Sequence, residues 1–212
     1  MSRTTAPEPD PAPRRRGAGP APTLILGVLM AVAAVLAAVA FQGAGRRTPS
    51  CEDAAPTPAF PGTSGPEACA LPDPALPRLG DAGTLRFSEF RGTPVIVNFW
   101  ASWCAPCAAE MPVFAQAARD LEGRVAFVGV DVQDRPEPAL ALARRTGVGY
   151  PLVEDPRGAL YEALRGAGMP TTLFVDARGT VVYRRTGEVD AARLADLLRE
   201  HLGVVWEPAG KR

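Results

Sequence analysis

A chain of 212 residues has room for one hydrophobic core of ordinary size plus extensions. Its 23 Lys and Arg balance 23 Asp and Glu, which removes any electrostatic argument for nucleic acid or an acidic partner. Four cysteines (Cys51, Cys69, Cys104 and Cys107) stand beside a single histidine, His201, so a metal site or a Cys-His nucleophile is short of imidazoles.

Residues 1–22 are polar and rich in Pro and Arg, a composition that cannot bury enough apolar surface to fold. They are expected to form a disordered cytoplasmic N-terminus. Thr23–Phe41 carries no charge over 19 residues, or ~28 Å of helix, close to the ~30 Å of a hydrocarbon core. It has no polar face, which argues against a buried core helix. Ala38-Val39-Ala40 offers small residues at the spacing of signal cleavage. The apolar run exceeds the usual ~7–15-residue signal core, and this favours an uncleaved transmembrane anchor over a signal. Arg3, Arg14, Arg15 and Arg16 precede the span and only Arg46 and Arg47 follow it closely, which predicts a cytoplasmic N-terminus with the bulk of the chain outside. Residues 42–78 hold eight prolines in 37 positions and are expected to be an extended tether that adds no core. Cys51 and Cys69 lie within it, 18 positions apart. In an oxidising compartment such a pair is expected to be a structural disulfide, with a second redox pair as the alternative.

The folded domain is expected over residues 79–205, with 206–212 as a C-terminal tail. Thr84–Ser88 predicts a short strand and Ser88–Pro94 a turn. Val95–Trp100 (VIVNFW) is nearly all apolar, as in a strand covered on both faces. A helix is predicted from Ala105 to Leu121, kinked at Pro112, and a second buried strand over Val125–Val130. Pro136–Thr146 predicts a helix that begins on proline and stops at Gly147. Asp155-Pro156 is expected to open a further short helix ending at Gly166. Thr172–Val175 and Val181–Arg184 predict a hairpin around Asp176–Gly179. The last helix starts at Asp190, buries Leu194, Leu197, Leu198 and Leu202, and ends at Gly203. Strands alternating with helices, then a hairpin and a helix, predict an α/β sandwich with a mixed sheet.

The sharpest chemical signal is Trp103-Cys104-Ala105-Pro106-Cys107 at the exit of the buried strand. Half of a zinc site has the same spacing, but the remaining ligands could come only from the tether cysteines or His201. At a helix N-terminus the partial positive charge lowers the pKa of Cys104 and stabilises its thiolate. Cys107, one turn along, points inward and can resolve a mixed disulfide on Cys104. Glu110 shares the helical face of Cys107, three residues on. An inward Cys107 predicts a partly desolvated Glu110; otherwise Glu110 is a solvated helix residue. Gly168-Met169-Pro170-Thr171-Thr172 precedes a strand, and the residues alone predict an ordinary trans proline there.

FWASWCAPCAAEMP, VGVDVQD, GVGYPLVEDPRG and GMPTTLFVDARG together resemble the TlpA/ResA/DsbE group of thioredoxin-like proteins, over roughly residues 79–202. The resemblance implies a thioredoxin-like three-layer sandwich and an extracytoplasmic, often membrane-tethered, thiol-disulfide oxidoreductase. It implies Cys104 as nucleophile, Cys107 as resolving thiol and Glu110 as their acid. It also implies that Met169-Pro170 is cis, faces the motif and offers backbone hydrogen bonds to a substrate segment, with Trp103, Met169 and Pro170 as the substrate-binding residues. Residues 131–168 resemble the group's insertion. Thioredoxin has a buried Asp where this chain has Asn98, which cannot take a proton.

The expected partners are thiol or disulfide proteins, apocytochrome c among them in cytochrome c maturation, and a membrane electron-transfer partner; no cofactor and no metal are expected. Two other functions fit the fold. A peroxiredoxin-like peroxidase usually carries Thr or Ser three residues before its cysteine, where this chain has Ala101. A copper-binding assembly factor needs a wider cysteine spacing and a His ligand, for which only His201 is available.

Overall fold

The computed structural model describes residues 48–51 and 65–208. The expected N-terminus and apolar span, residues 1–41, lie outside the described residues. Among the described residues no helix is long and apolar enough to cross a membrane.

The strand β4 (Val95–Trp100) is buried at all six positions. It lies in the middle of a six-stranded mixed sheet of β1 (Gly65–Ala70), β4, β5 (Ala126–Val132), β6 (Leu152–Asp155), β7 (Thr171–Val175) and β8 (Thr180–Thr186), in the order β1-β8-β7-β4-β5-β6. β4, β5 and β6 are parallel; β7 runs antiparallel to β4 and β8, and β1 antiparallel to β8. A strand hydrogen-bonded on both sides and covered on both faces is mostly apolar, which explains VIVNFW, whose one polar residue, Asn98, finds buried hydrogen-bond partners. A two-stranded ribbon, β2 (Leu76–Pro77) with β3 (Thr84–Leu85), lies outside this sheet.

The period of two along β4 divides the core. Val95, Val97 and Phe99 join one cluster, with Val128, Val130, Leu173 and Leu160. Ile96 joins another, with Phe114, Phe127, Phe174, Leu194, Leu197 and Leu198. Helices α1 (Ala105–Asp120) and α4 (Ala191–Leu202) supply Phe114 and the leucines. Asn98, two residues from Ile96, therefore points toward this helix-covered face. Helix α2 (Pro136–Thr146) packs Ala139 and Leu142 with Trp100, Cys104 and Cys107 in a third cluster. The short helix α3 is Ala159–Ala163.

Helix ends follow their expected chemistry. The Asp190 side chain accepts from the Arg193 N–H at 2.7 Å, and Gly147 and Gly203 close α2 and α4 in the left-handed conformation. Helix α1 runs through Pro112.

Four expectations are corrected. Residues 42–78 are not wholly a tether: Gly65–Ala70 forms an edge strand on β8, and Cys69, Leu71 and Leu76 are buried in the core. From that edge the chain reaches β6 at the opposite one, where the Leu79 N–H donates to the Leu152 C=O. Prolines mark this stretch as extended, and extended chain serves a sheet edge as well as a linker. Asp155 ends a strand rather than opening a helix, and α3 starts after Gly158. The strand was hidden between Pro151 and Pro156. Thr84–Ser88 is strand for two residues only and then gives way to a 3-10 turn over Phe87–Phe90. At the other end, Trp206 is buried and its indole donates to Asp120 at 2.9 Å, so the fold extends into the expected tail.

Candidate active site

Two parallel strands end side by side, and the site grows from their C-terminal ends. Trp100, the last residue of β4, is in register with Asp131 of β5. The loops leaving these strands therefore share one edge of the sheet. The first loop, Ala101–Trp103, leads into α1 with Cys104 as its N-cap, and the Cys104 Sγ accepts the Cys107 N–H at 3.2 Å. Cys104 and Cys107 are joined as a disulfide, and Cys107 is fully buried. When that bond opens, the same N–H and the helix terminus stabilise a thiolate on Cys104.

The Asp131–Asp134 segment holds the first loop. The Asp134 carboxyl accepts the Ser102 N–H through one oxygen and the Arg135 N–H, at 2.7 Å, through the other. Burial pulls its pKa up, but hydrogen bonds from Ser102 and Arg135 outweigh burial and hold it below the usual value. Asp131 is buried beside it. Burial, and then the charge of Asp134, push its carboxyl up to about 8. Gln133, between them, takes a left-handed φ of 51°, and its carbonyl accepts the Trp103 indole N–H at 3.4 Å. Trp103 still stands 62% exposed on the rim.

On the opposite wall, Met169-Pro170 is cis, as the resemblance implies and against the trans bond that the residues alone predict. An open groove runs between the walls, with Trp103, Cys104 and Pro106 on one side and Tyr161, Gly168 and Met169 on the other. Gly168 is fully engaged: its N–H donates to the Tyr161 hydroxyl at 2.9 Å and its C=O accepts from that hydroxyl at 2.7 Å. The Pro170 C=O accepts the Gly187 N–H at 2.8 Å. Between them, the N–H and C=O of Met169 make no hydrogen bond among the described residues.

Three residues along α1 from Cys107, Glu110 is only 1% exposed, so it is not a solvated helix residue. Its Oε1 accepts from Asn98 Nδ2 at 2.8 Å, and its Oε2 accepts from the Val189 N–H at 3.0 Å. Burial pushes its carboxyl up to about 8, although both hydrogen bonds oppose the shift. Asn98 Nδ2 also donates to Thr172 Oγ1 at 3.2 Å, and its own Oδ1 is buried without a partner among the described residues. Thus the residue that replaces a titratable Asp is bonded directly to an acid that titrates.

Cys51 and Cys69 are joined by their own disulfide. They belong to a different cluster from Cys104 and Cys107. His201 stacks on Tyr183 with ring centroids 3.9 Å apart, and burial lowers its pKa. Among the described residues no three His, Cys, Asp or Glu side chains gather as a metal site.

The sequence reading missed Tyr161, Asp131, Asp134 and Val189. The two Asp had a signal, since both lie where a buried parallel strand ends, at the edge where such sheets place their sites. Tyr161 and Val189 had none.

The sheet, its helices and the Cys-Ala-Pro-Cys disulfide at the exit of the central strand define a thioredoxin-like α/β protein. Among solved structures, a thiol:disulfide interchange protein of the thioredoxin family from Chlorobium tepidum matches at 26% identity and TM-score 0.58, over 65% of this chain and 98% of that one. The chain belongs to the AhpC/TSA family, whose model matches residues 68–184. A secreted thiol-disulfide isomerase from Corynebacterium glutamicum matches at 25% identity and TM-score 0.56, over 71% of this chain and 94% of that one. The thiol:disulfide interchange protein DsbE of Xylella fastidiosa is 34% identical over 121 residues, 56% of this chain and 60% of the relative. The chain thus spans about three-fifths of the length of that curated relative.

Proposed function

We propose that the protein is a thiol-disulfide oxidoreductase acting on protein thiols and disulfides. One observation carries this reading: the Cys104–Cys107 disulfide caps a helix at an open groove whose other wall offers unpaired backbone groups on Met169. In the reducing direction the Cys104 thiolate attacks one sulfur of a substrate disulfide and expels the other as a thiolate. Cys107 loses its proton and attacks Cys104, releasing the second substrate thiol and leaving the Cys104–Cys107 disulfide. Two electrons pass to the substrate, and every step is reversible. Once it has lost its own proton, as pH rises through about 8, Glu110 takes the proton of Cys107, because it is the buried acid on the same helix and Asn98 cannot titrate. Trp103, Met169 and Pro170 bind the substrate segment across the groove.

A peroxidase would need a polar hydrogen-bond donor at position 101 to hold a peroxide, and Ala101 is a buried methyl. A copper factor would need an imidazole near Cys104, and His201 is stacked on Tyr183 in a different cluster.

The domain works outside the cytoplasm, anchored by Thr23–Phe41. The uncharged span and its Arg-rich flank support this reading. A membrane partner that resupplies electrons and apocytochrome c as substrate follow from the resemblance to the TlpA/ResA/DsbE group.

The test uses the full chain reduced beforehand and mixed with insulin. The wild type should release insulin thiols, Cys104→Ser should be inactive, and Cys107→Ser should accumulate a mixed disulfide. Rapid consumption of hydrogen peroxide without insulin reduction would replace this reading by the peroxidase one.

A further inference from the structure

Tyr161 lies in α3, within the segment between β5 and β7, and is not part of the Cys-Ala-Pro-Cys motif. Yet its hydroxyl is bonded to both polar groups of Gly168, the residue just before Met169. Three further contacts fix the phenol. Its ring packs on Phe99 of β4, with centroids 5.6 Å apart. Its own N–H donates to the Asp155 carboxyl at 2.9 Å, which ties α3 to the end of β6. Gly166 passes so close to the ring that an added Cβ would lie 2.2 Å from it. Thr171 Oγ1 donates to the same Gly168 C=O at 2.6 Å.

We propose that Tyr161 is a positioning residue that shapes the groove for an extended polypeptide. By saturating Gly168, the phenol fixes the peptide plane that leads into Met169. The Met169 N–H and C=O are then left as a single residue of free strand edge facing Cys104 across the groove. A substrate chain pairs with that residue as an added strand, which brings its disulfide to Cys104. A small disulfide has no backbone to pair and gains nothing from the clamp. Tyr161 therefore sets preference for polypeptide over small-molecule disulfides. The inference deepens the oxidoreductase reading and rests on it.

The test is single-turnover reduction by the pre-reduced full chain, with insulin as the polypeptide disulfide and 5,5′-dithiobis(2-nitrobenzoate) as the small one. Tyr161→Phe keeps the ring and removes both bonds to Gly168. It should raise the half-saturating insulin concentration about fivefold, leave the limiting rate within about twofold, and leave the small disulfide unaffected. Thr171→Val removes one of the two side-chain donors to the Gly168 C=O and should act in the same direction by less. It decides the matter if circular dichroism shows that Tyr161→Phe does not fold. Unchanged insulin saturation, or an equal loss toward both substrates, would overturn the role of Tyr161. A wild-type chain that reduces neither substrate would instead overturn the oxidoreductase reading.

Discussion

Glu110 keeps its proton at pH values where an ordinary carboxyl has lost it, because water does not reach it. Its pKa is raised from 4.5 to about 8. Between these values the native state binds a proton that the unfolded chain releases. The stability linked to that proton is fully present below the unfolded value and is lost as pH rises through about 8. Wild type should therefore lose on the order of a few kcal/mol across this window. Asp131, also raised to about 8, adds to the slope. Glu110→Gln should flatten the slope without abolishing it, as read by urea unfolding at several pH values. The same variant should alter the pH profile of thiol exchange, since Cys107 then lacks its proton acceptor. Profiles of exchange that superimpose for the two proteins would reduce Glu110 to a structural acid, with water handling the proton.

The edge strand β1 is held by hydrogen bonds to β8 and by a covalent link at its end. Cys51 is bonded to Cys69, and the Cys51 N–H donates to the Ala70 C=O at 3.0 Å. A closure over 18 residues contributes about 3 kcal/mol in the chain-entropy model. Replacing both cysteines by Ser should lower unfolding stability by about 2–3 kcal/mol and leave insulin reduction unchanged. A variant as stable as wild type would show that the link orders nothing. The elements themselves were legible in the sequence to differing degrees. VIVNFW announced itself because burial on both faces leaves a nearly continuous apolar run. The helix over Pro136–Thr146 carries its own start and stop signals. By contrast β1 and β6 are short strands among prolines, and what makes them strands is a partner distant in sequence. The site divides in the same way. Cys104 and Cys107 are three apart, one capping the helix and the other in its first turn, so spacing alone exposed them. Glu110 receives the Val189 N–H from 79 residues away, and Tyr161 reaches a loop that only the fold brings to Cys104. No local pattern encodes such contacts.

The whole molecule places one redox site on a domain joined to an apolar N-terminal span. If Thr23–Phe41 is an anchor, the full chain stays in the membrane pellet after carbonate washing. After mild reduction, a membrane-impermeant maleimide added to intact cells should then label Cys104. A soluble chain whose N-terminus lies near Phe41 would show instead that the span is a cleaved signal. If Thr23–Phe41 is an anchor, the covalent link at β1 also sets the length of the leash. Tension or drift at the N-terminal side reaches the domain at Cys51, through its hydrogen bond to Ala70 and its sulfur link to Cys69. The 18 residue steps between them, about 60 Å of extended chain, are taken out of the reach. A protease that cuts between these cysteines does not free the domain, because its two ends remain joined until a reductant arrives. If the span is an anchor and the Cys51–Cys69 bond is structural, how far the site can travel from the membrane thus depends on the oxidation state of that bond.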